Sequence, residues 1–131
     1  MAATQTTPPS FTFSIDMYAD TVCVWSYIGS KILDQAIDAY KSALPPDERD
    51  KVTFDLTWRP YVLYPNAGVS VRTKKDAIHK IYSLNAPSIF SRLESLTKQY
   101  QIPLVWEGST GNSINSHKLI LLAIEQDEIT A

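Results

Sequence analysis

Cysteine is almost missing from this chain: Cys23 is the single one among 131 residues. One cysteine cannot close an internal disulfide, and a chain without structural disulfides fits a reducing, cytosolic setting. Basic runs are missing too. Lys74-Lys75 is too short to count as one, and the net charge of −2 leaves no electrostatic footprint for nucleic acid. The opening MAATQTTPPS has neither the basic residues nor the apolar core of a secretory signal. No apolar run approaches the roughly 20 residues that span a bilayer, so no membrane partner is expected. No pair of His, Cys or carboxylate residues has metal-ligand spacing, so no metal site and no required cofactor are expected. A G-x-S-x-G elbow is absent. EGSTGN, residues 107–112, has the look of a phosphate loop but lacks its Lys and its strand-to-helix setting.

What is present suits a soluble globular domain of modest core: 44% hydrophobic and 20% charged residues. Residues 1–10 read as a flexible lead-in. In FTFSIDMY, Phe11, Phe13, Ile15 and Met17 alternate with polar neighbours, the period of a strand with one apolar face. From Tyr27 to Tyr40 the period changes. Ile28, Ile32, Leu33, Ala36, Ile37 and Tyr40 form one helical stripe, which Pro45 and Pro46 should end. KVTFDLTW alternates again through Val52, Phe54, Leu56 and Trp58. Strand, helix, strand at this spacing is a βαβ unit with parallel strands and a right-handed crossover, over residues 11–69.

Residues 70–131 read as helical. One helix is expected over Val71 to Tyr82 and a second from about Pro87. A third runs from Ser113 to Glu128, capped by Asn112 or Ser113. Its Leu119 to Ile124 run is apolar nearly all round and should be buried on more than one side.

Cys23 falls between the first strand and the first helix. Unpaired backbone N–H groups and the helix dipole favour an anion there, and a thiolate is one. In open α/β folds ligands also bind at this end of the strands. The plainer reading is a small buried hydrophobe. Trp25 reads either as a core aromatic or as a cover over the thiol. Arg59 reads either as a surface residue with its stem on Trp58 or as an anchor for a carboxylate-bearing ligand such as glutathione. His117 sits on an apolar helix, where a packed, hydrogen-bonded histidine is the common case. His79, beside Lys80, reads as solvated.

Asp20-x-x-Cys23-x-Trp25-x-Tyr27-x-Gly29 resembles the active-site segment of the DsbA-like thioredoxin superfamily, in its FrnE-type branch, which reads D-x-x-C-P-W-C-Y-x-G. TWRPYVLYP, Thr57 to Pro65, resembles the W-R-P-F-x-L-x-P that follows the family's second strand. GNSINSHKLILLA, Gly111 to Ala123, resembles its N-T/S-x-x-A-H-x-L segment. The resemblance implies an α/β, thioredoxin-like fold of DsbA type: a βαβ unit followed by a helical insertion. It implies Cys23 as nucleophile and Trp25, Tyr27, Arg59, Pro60 and His117 around a substrate cleft; Ser26, one helical turn along from Cys23, is expected to hydrogen-bond its thiolate.

Val24 replaces the family's Pro, and Ser26 replaces its second cysteine. A hydroxyl cannot resolve a mixed disulfide, so only an external thiol could release a partner from Cys23. Three functions follow from the resemblance. The first is a single-cysteine thiol–disulfide oxidoreductase or isomerase. The second is a glutathione-dependent transferase or isomerase of kappa-class type, in which Ser26 serves a small apolar substrate. The third is a non-catalytic binding or dimerisation module. The family's C-terminal strand–strand–helix half, with its cis-proline loop, is not found in these residues. Two strands rarely stand alone, and their unpaired edges invite a second chain, so a homo-oligomer is expected.

Overall fold

A computed structural model describes residues 10–68 and 72–130, with residues 127–130 described through their backbone alone. The expected lead-in, residues 1–10, lies almost wholly outside the described residues, as does Val71. Strand β1, Phe11–Ala19, pairs in parallel with β2, Val52–Pro60. The register sets Phe11 against Val52, Phe13 against Phe54, Ile15 against Leu56 and Met17 against Trp58. Side chains alternate faces along a strand, so this register gathers both alternating apolar sets on one face.

Helix α1, Val24–Ala43, makes the crossover. It starts three residues before the expected Tyr27, because Cys23 already serves as its N-cap. The prolines do end it, and they also start something. Pro46 opens a one-turn helix α2, Pro46–Arg49, since a proline at the first helical position loses no hydrogen bond. A two-residue strand β3, Arg72–Thr73, pairs antiparallel with β4, Ser109–Thr110. This pair is too short to show any period in the sequence.

Helix α3, Lys74–Tyr82, begins where the Thr73 hydroxyl accepts the Asp76 N–H at 3.1 Å. A 3-10 turn, Ser83–Asn85, leads into α4, Ala86–Gln99, with Pro87 in its first turn. Helix α5, Ile114–Thr130, starts after Asn112, whose side-chain oxygen accepts the Ile114 N–H at 2.9 Å.

The apolar core joins α1 to the helical segment. Ile28, Ile78, Ala86, Leu93 and Ile102 are buried together, with Trp25, Tyr82, Phe90 and Trp106 packed around them. The strands of the β1–β2 sheet pair only with each other among the described residues. The apolar run of α5 differs from expectation: Leu119, Leu121, Leu122 and Ile124 are exposed. No helix among the described residues is long and apolar enough to cross a membrane.

Candidate functional site

The site lies at the C-terminal end of β1, where the chain turns into α1. Cys23 has extended backbone angles (φ −86°, ψ 114°) and is half-buried. Its N–H donates to the Asp20 carbonyl at 3.1 Å, and its carbonyl accepts the Tyr27 N–H at 3.1 Å. Its side chain makes no capping bond, and no acidic residue occupies the first turn of α1. The partial positive charge of the helix end is therefore not spent on a side chain of that turn. Cys23 stands at that end of the helix as its N-cap residue.

Behind the cysteine loop is a buried polar cluster. Asp20 is 2% exposed, Ser113 2% and His117 4%. These are the three buried polar residues among those described, and they all meet at one carboxylate. Asp20 accepts the Leu63 N–H at 2.6 Å and the Val22 N–H at 3.2 Å. The Ser113 side chain bonds it, and His117 Nε2 lies 3.3 Å from Oδ1. Burial pushes the Asp20 carboxyl up, but the Leu63, Ser113 and Val22 hydrogen bonds and the His117 charge outweigh it, so it is held below its ordinary range. An ionised carboxylate only accepts, so in this contact His117 Nε2 is the donor. His117 Nδ1 has no partner among the described residues, and neither has Trp58 Nε1. The centres of the two rings lie 6.1 Å apart, with their planes tilted by 38°.

The other wall is aromatic. Trp25 Nε1 donates to the Tyr82 hydroxyl at 2.9 Å, and the Arg92 guanidinium lies 5.9 Å from the Trp25 ring. The Tyr64 hydroxyl is pushed up by burial and by the charges of Tyr82, Cys23 and Asp20, which places it in their electrostatic neighbourhood. Tyr64 therefore stays protonated at neutral pH.

The residues singled out from sequence do not all converge here. Cys23, Trp25 and Ser26 share the first turn of α1, and His117 reaches the cysteine loop through Asp20. The Ser26 hydroxyl accepts the Asp20 N–H at 3.2 Å, so its recorded bond is to the loop rather than to the thiol. Tyr27 donates to the Pro103 carbonyl at 3.0 Å and fastens α1 to the segment after α4. Arg59 points to Asp16 on the neighbouring strand, at 2.8 Å, and both are half-exposed. Pro60 is an exposed residue at the end of β2. His79 is exposed and lies 5.3 Å from the Phe90 ring.

Sequence reasoning passed over Tyr64 and Tyr82 as site residues, took Ser113 only as a candidate helix cap, and saw Asp20 only as a motif letter. Asp20 had a usable signal, a carboxylate just past an apolar strand and two residues before an N–H it could bind. Among the described residues, no group of three or more His, Cys, Asp or Glu side chains could hold a metal ion.

No curated protein matches the chain. Among solved structures, a probable DsbA oxidoreductase from Streptomyces coelicolor superposes with a TM-score of 0.66 at 20% identity. The match covers 87% of this chain but 47% of that one, so the chain spans about half the length of that relative. The likeness is one of fold. The family assignment comes from the sequence, which the model of the DSBA-like thioredoxin domain matches over residues 14–131. The chain belongs to the DSBA-like thioredoxin domain family.

Proposed function

We propose that this domain performs thiol–disulfide exchange through Cys23 alone, as a single-cysteine member of the FrnE-type branch. The observation that carries this reading is the cysteine's place as the N-cap residue of α1, half-buried, with no side-chain capping bond and no acidic residue in that first turn. The Cys23 thiolate attacks one sulfur of a disulfide. A bond from Sγ to that sulfur forms, the disulfide bond breaks, and the second sulfur leaves as a thiolate that takes a proton from water. An external thiolate, of the glutathione class, then attacks the mixed disulfide and frees Cys23. No residue of this chain can do that second step, since Ser26 offers only a hydroxyl. The Streptomyces relative is named as a probable DsbA oxidoreductase, which supports the same reaction class.

The test is alkylation of Cys23 by limiting iodoacetamide as a function of pH. Cys23 is expected to react faster than free cysteine at about pH 6, where a free thiol is mostly protonated. A rate no greater than that of free cysteine at every pH would remove the basis for exchange. Glutathione binding that survives Cys23→Ser but is lost in Ser26→Ala would point to transferase-type chemistry instead.

A further inference from the structure

Burying a carboxylate is costly, and a chain of this size has little stability to spare. Yet the three buried polar residues among those described are gathered in one place, against the loop that presents Cys23, and not in the apolar core. The Asp20 carboxylate joins segments far apart in sequence. Leu63 is 43 residues away and His117 is 97. One arm reaches the loop after β2, another reaches α5, and a third bonds Val22 in the cysteine loop itself.

A second bond runs in parallel. The Thr21 hydroxyl meets the Ser116 hydroxyl, one residue before His117. Helix α5 thus grips the four-residue turn at Asp20 and at Thr21, immediately before Cys23. His117 has no other polar partner among the described residues, because Nδ1 is unpaired. Its imidazole therefore bears on the cysteine loop through Asp20.

We propose that Asp20 and His117 form a latch by which α5 holds Cys23 in its exchange-competent position, with His117 acting as a positioning residue through Asp20. The inference rests on the exchange reaction proposed above. An intact latch keeps the thiol aligned with the N–H groups of the first turn, the geometry that direct attack on a disulfide needs. Without the His117 donor, the carboxylate is less compensated and the turn less constrained. Both effects act against a neighbouring thiolate.

Two variants separate the hydrogen bond from packing. His117→Leu keeps an apolar body against Trp58 but removes the donor. His117→Gln keeps an N–H that can reach Asp20. The readout is the rate of Cys23 modification by an uncharged disulfide, 2,2′-dithiodipyridine, across pH, with circular dichroism to check the fold. His117→Leu is expected to slow the reaction about tenfold at neutral pH and to move its profile to higher pH; His117→Gln should stay within about threefold of the parent. In an Asp20→Asn background, His117→Leu should add nothing further, because the two act as one unit.

If His117→Leu does not fold, His117→Gln and Asp20→Asn still decide the matter. A Gln variant as slow as Asp20→Asn, or an Asp20→Asn variant with the parent profile, overturns the latch. So does a His117→Leu variant that folds and reacts like the parent. A parent Cys23 no more reactive than free cysteine defeats the exchange reading itself, and is seen in the parent before any variant is made.

Discussion

Ile28, one turn into α1, is 2% exposed and packs with Leu93 and Ile78. Farther along the same helix, Leu33, Ala36, Ile37 and Tyr40 line an open groove of about 190 Å³ with Phe13 and Phe54. The aromatic side chains in that groove are well arranged: Phe13 stacks on Phe54 at 5.0 Å, and Tyr40 meets both edge-on. They are nonetheless open to solvent, with Phe13 45% exposed. One helix thus faces a closed interior near its N-terminus and an unfinished one near its C-terminus. The contrast separates what these residues stabilise by themselves from what they leave uncovered. The cysteine lies at the closed end, as the N-cap of the helix.

The sharpest way to break the contrast is at Leu93, which is 0% exposed. Leu93→Ala removes buried methyl groups and leaves a cavity among Ile28, Ile78 and Ile102. The expected loss is about 2–5 kcal/mol, read from urea denaturation. A loss below about 1 kcal/mol would mean that this interior is no better packed than the groove.

Asp20→Asn tests the polar part of the closed end and should cost about 1–3 kcal/mol at neutral pH, because an amide cannot replace both acceptor oxygens. The effect depends on pH in a definite direction. Asp20 is held below its ordinary value of 3.8 in the folded chain, so the unfolded state binds its proton first as pH falls. Its contribution is complete above the unfolded value and is lost as pH drops through that value to the folded one. The gap between parent and variant should therefore be constant near neutrality and narrow below about pH 4. A gap that widens with acid would reverse the assignment.

How far the sequence shows these regions depends on whether the signal is periodic. The alternation of Phe11 to Met17 and of Val52 to Trp58 fixes both long strands, and the parallel register follows from aligning their apolar sets. The stripe from Ile28 to Tyr40 shows that α1 exists but not where it begins, because the N-cap is chosen by backbone geometry at Cys23. Pro45-Pro46 reads equally as a stop and as a start, and the structure uses it as both. The cysteine's position follows from the strand-to-helix boundary alone. Its surroundings do not. Leu63, Ser113 and His117 reach Asp20 across 43 to 97 residues, and no local period reports contacts at that range. Arg59 shows the converse limit. The sequence allows either a surface residue or an anion anchor; in the structure Asp16, which pairs with Thr57 two residues before Arg59, takes the guanidinium.

The smallest effect is expected at the open end. Phe13 stacks on Phe54, but nearly half of its surface already meets water. Phe13→Ala therefore removes less burial than Leu93→Ala and leaves no closed cavity. Its cost should be about 1 kcal/mol, most of it from the aromatic contacts with Phe54 and Tyr40. The measurement is again urea denaturation, repeated over a wide range of protein concentration. If the groove is open in solution, the midpoint is the same at every concentration for parent and variant alike. If a second copy covers the groove, as the unpaired strand edges suggest, the parent becomes more stable as concentration rises and Phe13→Ala removes that rise. A concentration-dependent midpoint would thus erase the difference between the two ends of α1. It would also make Phe13, rather than Leu93, the residue whose loss costs most at high concentration.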